Sequence, residues 1–252
     1  MTTDCDVVWL SVSPSLKALD RRVMKYLSAS VRLSQWQYSQ SADDPCSLQE
    51  VLALLHDYLE DKPPVHLVGH GIAGTVGWLY TCQYPERVQT LSLLGVNGNN
   101  IAYDWQAHYY ARRRQQGCER RFVLAQVVRD LFGEQSISRA AYLAKLLERD
   151  LRHSPSPHSL LQECHVSAAG CAVPLSICNS RDDRAIAQGS FHRWKAWLKM
   201  SDRLWECPGG GHFFHHFYPH WVEERLLSFW DEATCPSLAT LARATAAKRA
   251  AS

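Results

Sequence analysis

From Val65 to Tyr80 the chain reads VHLVGHGIAGTVGWLY, and this stretch restricts the fold more than any other. An apolar strand is predicted over Val65 to Val68. A turn rich in glycine follows (Gly69, Gly71, Gly74), and an apolar helical segment runs from Ile72 to about Tyr84. Strand, tight turn and helix in direct succession form the first half of a parallel crossover unit, since parallel neighbours cannot be joined by a short hairpin. Glycine permits the positive φ and the close backbone approach that such a turn demands.

The rest of the chain repeats the alternation. Strands are predicted over Val7 to Val12, Val31 to Tyr38, Thr90 to Val96, Pro174 to Asn179 and Arg203 to Cys207. Helical periodicity fills Leu16 to Leu27, Leu48 to Leu59, Phe191 to Leu198 and Trp221 to Trp230. The expected class is therefore α/β, with a mostly parallel sheet of about six strands and helices on both faces. Between about residues 101 and 170 the patterns are helical only, including Arg121 to Phe132 and Ala140 to Leu151, which predicts a helical insertion. A length of 252 residues with 46% hydrophobic content suits one core, so residues 1–234 are read as one domain. Residues 235–252 lack apolar periodicity and are read as a flexible tail.

Composition narrows the function classes. No run approaches the roughly 20 apolar residues of a membrane span. The start, MTTDCDVVWL, lacks the basic and small-residue signals of a secretory leader. Nine scattered cysteines without a C-x-x-C pair read as reduced thiols, so a cytoplasmic location is expected. A net charge of +2 gives no argument for nucleic acid. No cofactor motif is present, and none is expected. His212 and His216 have one-turn spacing, but without an H-E-x-x-H pattern they are not read as metal ligands.

In catalytic elbows of the form G-x-S-x-G the central residue is an exposed nucleophile on strained backbone. Here Gly71 occupies that position, so the attacking hydroxyl is missing while the turn keeps its glycines. With HLVGHGIAG, YPERVQTLSLLG, VPLSICNSRDD and the Gly210-Gly211-His212-Phe213 loop taken together, the chain resembles the α/β-hydrolase superfamily. The wording DWQAHYY and VVRDLFG is similar to uncharacterised cyanobacterial members. The resemblance implies Asp183 as the triad acid, His212 as the triad histidine and Gly71 as the vacant nucleophile position. It further implies an oxyanion site from the Ile72 amide and, because Pro14 has no N–H, from Ser13. The helical insertion would be a cap that sets ligand choice.

Three readings of the site stay open. The His212–Asp183 pair is an inherited hydrogen bond, or a working general base acting on water or an acidic C–H, or it serves an unforeseen nucleophile among Ser11, Ser13 and Thr75. From Asp104 to Asp130 the chain sets six arginines against three acids, beside Trp105, Tyr109 and Tyr110. Trp105, Tyr109, Arg112, Arg113 and Arg114 are thus candidate cap contacts to a small molecule or an acidic protein surface, with a solvated helix face as the plain alternative. The expectation is a non-catalytic protein that binds a small ligand or a protein partner through pocket and cap; the alternative is an enzyme using the dyad.

Overall fold

A computed structural model describes residues 6–40, 43–44, 47–98, 103–156, 171–186 and 189–234. Six strands form one all-parallel sheet: β1 (Asp6–Ser11), β2 (Arg32–Gln37), β3 (Val65–His70), β4 (Val88–Leu94), β5 (Leu175–Ser180) and β6 (Arg203–Cys207). Their order is β2-β1-β3-β4-β5-β6. The first crossover runs outward from β1 to β2, and the chain then returns past β1 to β3. The strand ends on either side of that reversal are where open parallel sheets place ligands.

Alternation of side chains across the pleat builds two cores. Val8, Leu67, Leu91 and Leu175 stand opposite one another across four strands and are buried under α2 (Leu48–Leu59) and α3 (Ile72–Gln83). Val7, Trp9 and Val68 face the other way, against Val23 and Leu27 of α1 (Lys17–Leu27) and Val222, Leu226 and Phe229 of α9 (Pro219–Thr234). Helices on both faces thus follow from strands that are apolar on both sides.

The insertion between β4 and β5 carries α4 (Trp105–Gln116), α5 (Arg120–Phe132) and α6 (Ile137–His153). Leu124, Val127, Val128, Leu131, Leu143 and Leu147 give it a core of its own, which reaches the main body through Leu16, Leu19 and Phe213. Its expected extent, about 101–170, continues past the described residues after Ser156, and the tail at 235–252 lies outside them. Two short helices complete the fold, α7 (Ser190–Lys195) and α8 (Phe214–Phe217). Among the described residues no helix is long and apolar enough to cross a membrane.

Boundaries shift by a few residues. The fourth strand starts at Val88, two residues before the expected Thr90, and ends at Leu94 because Gly95 turns the chain with φ +60°. Pro14 to Leu16 forms a single 3-10 turn, so α1 begins at Lys17 rather than Leu16.

Candidate functional site

The turn between β3 and α3 needs each of its glycines for a different reason. Gly69 and Gly74 touch: a Cβ on Gly69 would lie 2.6 Å from the Gly74 nitrogen, and one on Gly74 would lie 2.7 Å from the Gly69 oxygen. Helix and strand approach too closely there for any side chain. Gly71 has space but takes φ +53° and ψ −123°, a conformation L-residues adopt only under strain. Its N–H donates to the Leu94 carbonyl at 2.9 Å, and its own carbonyl accepts from the Thr75 amide at 3.0 Å. The turn is thereby pinned to β4 and to the first turn of α3. A Cβ at Gly71 would have one neighbour among the described atoms, His212 Nε2 at 3.5 Å.

That histidine is held by three hydrogen bonds, one of them at its carbonyl from His70 Nε2. Its Nδ1 donates to Asp183 Oδ2 at 2.9 Å, both side chains being almost fully buried. The other oxygen of Asp183 accepts from the amides of Ala185 (2.8 Å) and Ile186 (3.3 Å), which fixes the carboxylate. The backbone N–H of His212 donates to the carbonyl of Leu131 at the end of α5, at 2.8 Å. In the neutral ring this leaves the Nε2 lone pair directed at Gly71, the arrangement of a triad without its nucleophile. The structure brings Asp183, His212 and Gly71 together in one place.

Asp182, beside the expected acid, organises the histidine loop. Its carboxylate accepts from the amides of Gly211 (2.9 Å) and Gly210 (3.3 Å) and from the Ser180 hydroxyl (2.7 Å). Burial alone would raise its pKa, but these donors outweigh it and hold the carboxyl below the usual range. Both glycines have positive φ, and Gly211 presses on the Leu131 carbonyl, 2.6 Å from where its Cβ would be.

A cavity of about 60 Å³ opens over Gly71, lined on one side by Ser11, Ser13 and Ile72 and on the other by Tyr103, Trp105 and His212. Ile72 begins α3, so its amide has no acceptor within the helix and is available to the cavity. Ser13 lines the same space, so both expected oxyanion residues reach it. Of the alternative nucleophiles, Ser11 and Ser13 line the cavity, whereas Thr75 is buried with its hydroxyl donating to the Gly71 carbonyl.

The insertion candidates divide. Trp105 lines the cavity; Tyr109 is packed inside the insertion core. Arg112 pairs with Asp130 at 2.7 Å, Arg113 donates to the Cys118 carbonyl, and Arg114 is exposed. None of the three arginines stands among the described residues lining the cavity.

Several site residues receive no role from the sequence alone. His70, the variable residue of the turn, donates from Nε2 to the His212 carbonyl at 2.9 Å. Burial, with His215 and His212 nearby, pushes its pKa well below the usual imidazole value, so the ring is uncharged. His215 is fully buried and donates from Nε2 to Asp20 Oδ1 at 2.9 Å, a second histidine–aspartate pair. The ring of His70 lies between those of His212 (4.7 Å) and His215 (4.6 Å). Behind Trp105, Asp104 caps α4 through the Gln106 amide (2.7 Å) and accepts from Ser156 Oγ. Gln106 Nε2 reaches Asp150 Oδ2 (3.0 Å) and the Ser154 carbonyl (2.7 Å). Burial raises the Asp150 carboxyl to about 7. Among the described residues no three His, Cys, Asp or Glu side chains converge as a metal site, and His216 turns its Nδ1 to the Leu19 carbonyl.

Comparison with known proteins gives the family and the fold. Residues 18–225 match the model of the Alpha/beta hydrolase family. An uncharacterized Nostoc protein (alr2406) is 40% identical over 232 residues, covering 92% of each chain. An uncharacterized Synechocystis protein (sll0249) is 38% identical over 231 residues, covering 91% of this chain and 92% of its own. Among solved structures, a bromoperoxidase from Bacillus anthracis superposes with a TM-score of 0.71 at 17% identity, over 91% of this chain and 92% of that one. A meta-cleavage product hydrolase from Pseudomonas fluorescens does so with a TM-score of 0.69 at 15% identity, over 93% of both. At such identities the likeness is one of fold.

Proposed function

The chain belongs to the alpha/beta hydrolase family, and within it we propose a protein that binds a small molecule in the cavity over Gly71 and forms no acyl-serine there. One observation carries the reading. His212 Nε2 lies 3.5 Å from the place of the missing Cβ, and among the described residues no side chain fills the gap. A cavity collapsed around aromatic residues would have favoured a role in protein interaction alone. A single water needs on the order of 10–15 Å³ of such space, so a cavity of about 60 Å³ suits roughly four to six non-hydrogen atoms. In this proposal α4–α6 act as the cap, with Trp105 as its ligand contact and Ile72 and Ser13 as donors at the elbow. An acidic protein surface is the less favoured partner, because Arg112 and Arg113 are engaged within the insertion.

A second reading rests on the histidine. With Nδ1 committed to Asp183, neutral His212 offers Nε2 as a general base toward a bound water or an acidic C–H. The test treats purified full-length protein with a fluorophosphonate probe and, separately, screens small polar compounds by His212 side-chain NMR shifts. The expected result is no covalent labelling, together with saturable shifts at His212. Labelling of any serine within reach of His212 would overturn the proposal. Solvent-deuterium exchange into a bound ligand, abolished in His212→Ala, would establish the second reading in place of passive binding.

A further inference from the structure

The fixed charges that the described residues bring to the cavity over Gly71 are negative, beside neutral hydroxyls of Ser11, Ser13 and Tyr103 that can donate or accept. Asp20 and Asp104 contribute carboxylates, while no lysine or arginine stands among the described lining residues. The oxygens of Asp104 accept from the Gln106 amide and the Ser156 hydroxyl. Asp20 is different. His215 holds its Oδ1 from behind, and Oδ2 makes no hydrogen bond or ion pair with the described residues. The Nδ1 of His215 is buried without a hydrogen-bond partner among the described residues, so Asp20 is the ring's one polar contact there.

Two further lone pairs belong to the neighbouring histidines. The His212 ring is almost wholly buried, yet Nε2 has no hydrogen-bond partner among the described residues and lies toward the cavity over Gly71. His70 has committed its Nε2 proton to the His212 carbonyl and is uncharged, so it supplies no cation. Among the described residues the opposing elements are the start of α3 and the neutral hydroxyls of Ser11, Ser13 and Tyr103. A helix N-terminus acts as about half a positive charge, and the Ile72 amide is a donor. The Asp20 carboxylate outweighs that half charge. An anion in this space would meet the Asp20 carboxylate with no lysine or arginine among the described lining residues to offset it.

We infer that the cavity takes a small cation bearing N–H donors, of which an alkylammonium is the simplest, with the Asp20 carboxylate as its counter-ion and His212 Nε2 as a second acceptor. The inference rests on the reading of this cavity as a ligand site and adds the charge of the ligand. It also makes Asp20 the specificity-determining residue, held in place by His215.

The experiment compares three ligands of matched size on the full chain, propylammonium, propanol and propionate, each titrated while the His212 ring resonances are followed. Propylammonium is expected to bind at least ~10-fold tighter than propanol, as a charge-assisted hydrogen bond implies, and propionate is expected to leave His212 unmoved. Asp20→Asn is expected to reduce propylammonium binding by a similar factor and to leave propanol unchanged. Propanol or propionate binding as tightly as propylammonium would overturn the charge inference while leaving the cavity a ligand site. Failure of all three to move His212 would overturn both. If Asp20→Asn does not fold, the ranking of the three ligands on the unaltered protein decides the matter alone.

Discussion

Gly71→Ser restores the side chain that the elbow lacks, and the structure separates its two consequences. Space is not the obstacle, because the added Cβ would meet only His212 Nε2 at 3.5 Å, an ordinary contact. The backbone is the obstacle: φ +53° with ψ −123° lies outside the left-handed region that L-residues tolerate. Such strain costs about 1–3 kcal/mol. For a chain of this size each kcal/mol lowers the melting temperature by about 2–4 °C, so a fall of roughly 2–12 °C is expected. One bond beyond Cβ, the new hydroxyl comes within hydrogen-bond range of Nε2, about 2.7–3.2 Å. A fluorophosphonate probe is therefore expected to label position 71 in the variant and nothing in the parent, as read by intact mass and peptide mapping. Turnover of short nitrophenyl esters is expected to stay low, because Ile72 is the one oxyanion donor placed by a helix start. A higher melting temperature would refute the strained-turn argument. A correctly folded variant that resists the probe would refute the claim that His212 and Asp183 are poised around the vacancy.

Gly74→Ala is expected to destabilise more than Gly71→Ser, beyond the ~1–3 kcal/mol usual for overpacking, since its Cβ would sit 2.5 Å from a Val96 methyl and 2.7 Å from the Gly69 oxygen; denaturant titration ranks the two. For Asp150 the folded pKa of about 7 stands above the unfolded value. The folded state then binds the extra proton, and stability falls as pH rises from about 4 to 7. Asp150→Asn should flatten that slope and gain stability at pH 8, on the order of a few kcal/mol, in melts across the pH range. Asp182→Ala should free the Gly210 and Gly211 amides at a cost of about 1–3 kcal/mol, seen as faster hydrogen exchange at His212. The depressed Asp182 carboxyl stabilises the parent above about pH 4, and that contribution fades below it, a loss the variant should not show.

The scaffold was legible because its signals are local. Apolar runs separated by helical periodicity, with glycines at one turn, gave the strands and helices to within a few residues. The aspartate and histidine could be placed because each follows a strand end in a recognisable loop. The second pair was hidden for a physical reason. Asp20 sits on an amphipathic helix, where a half-buried acid has the same spacing as a solvated one, and His215 lies inside a histidine-rich loop. Their meeting across 195 positions is set by how α1 packs against α8, which no window of sequence contains. The arginines illustrate the reverse. Six in one segment suggest a charged surface, yet Asp130 and the Cys118 carbonyl occupy two of the three proposed for contact, Arg112 and Arg113.

The bond from the His212 amide to the Leu131 carbonyl bears on modularity. Insertions in proteins of this build invite exchange, on the view that a new roof can be grafted onto an unchanged floor. Here the floor's histidine is tied to the roof, and Gly211 is shaped to the carbonyl it lies against. A transplant of α4–α6 alone would carry away one of the three holds on His212. A graft that moves residues 131–132 together with 210–213 would keep it. Successful chimaeras should therefore exchange two segments far apart in sequence as one part, and families of this protein should diverge at those segments in step.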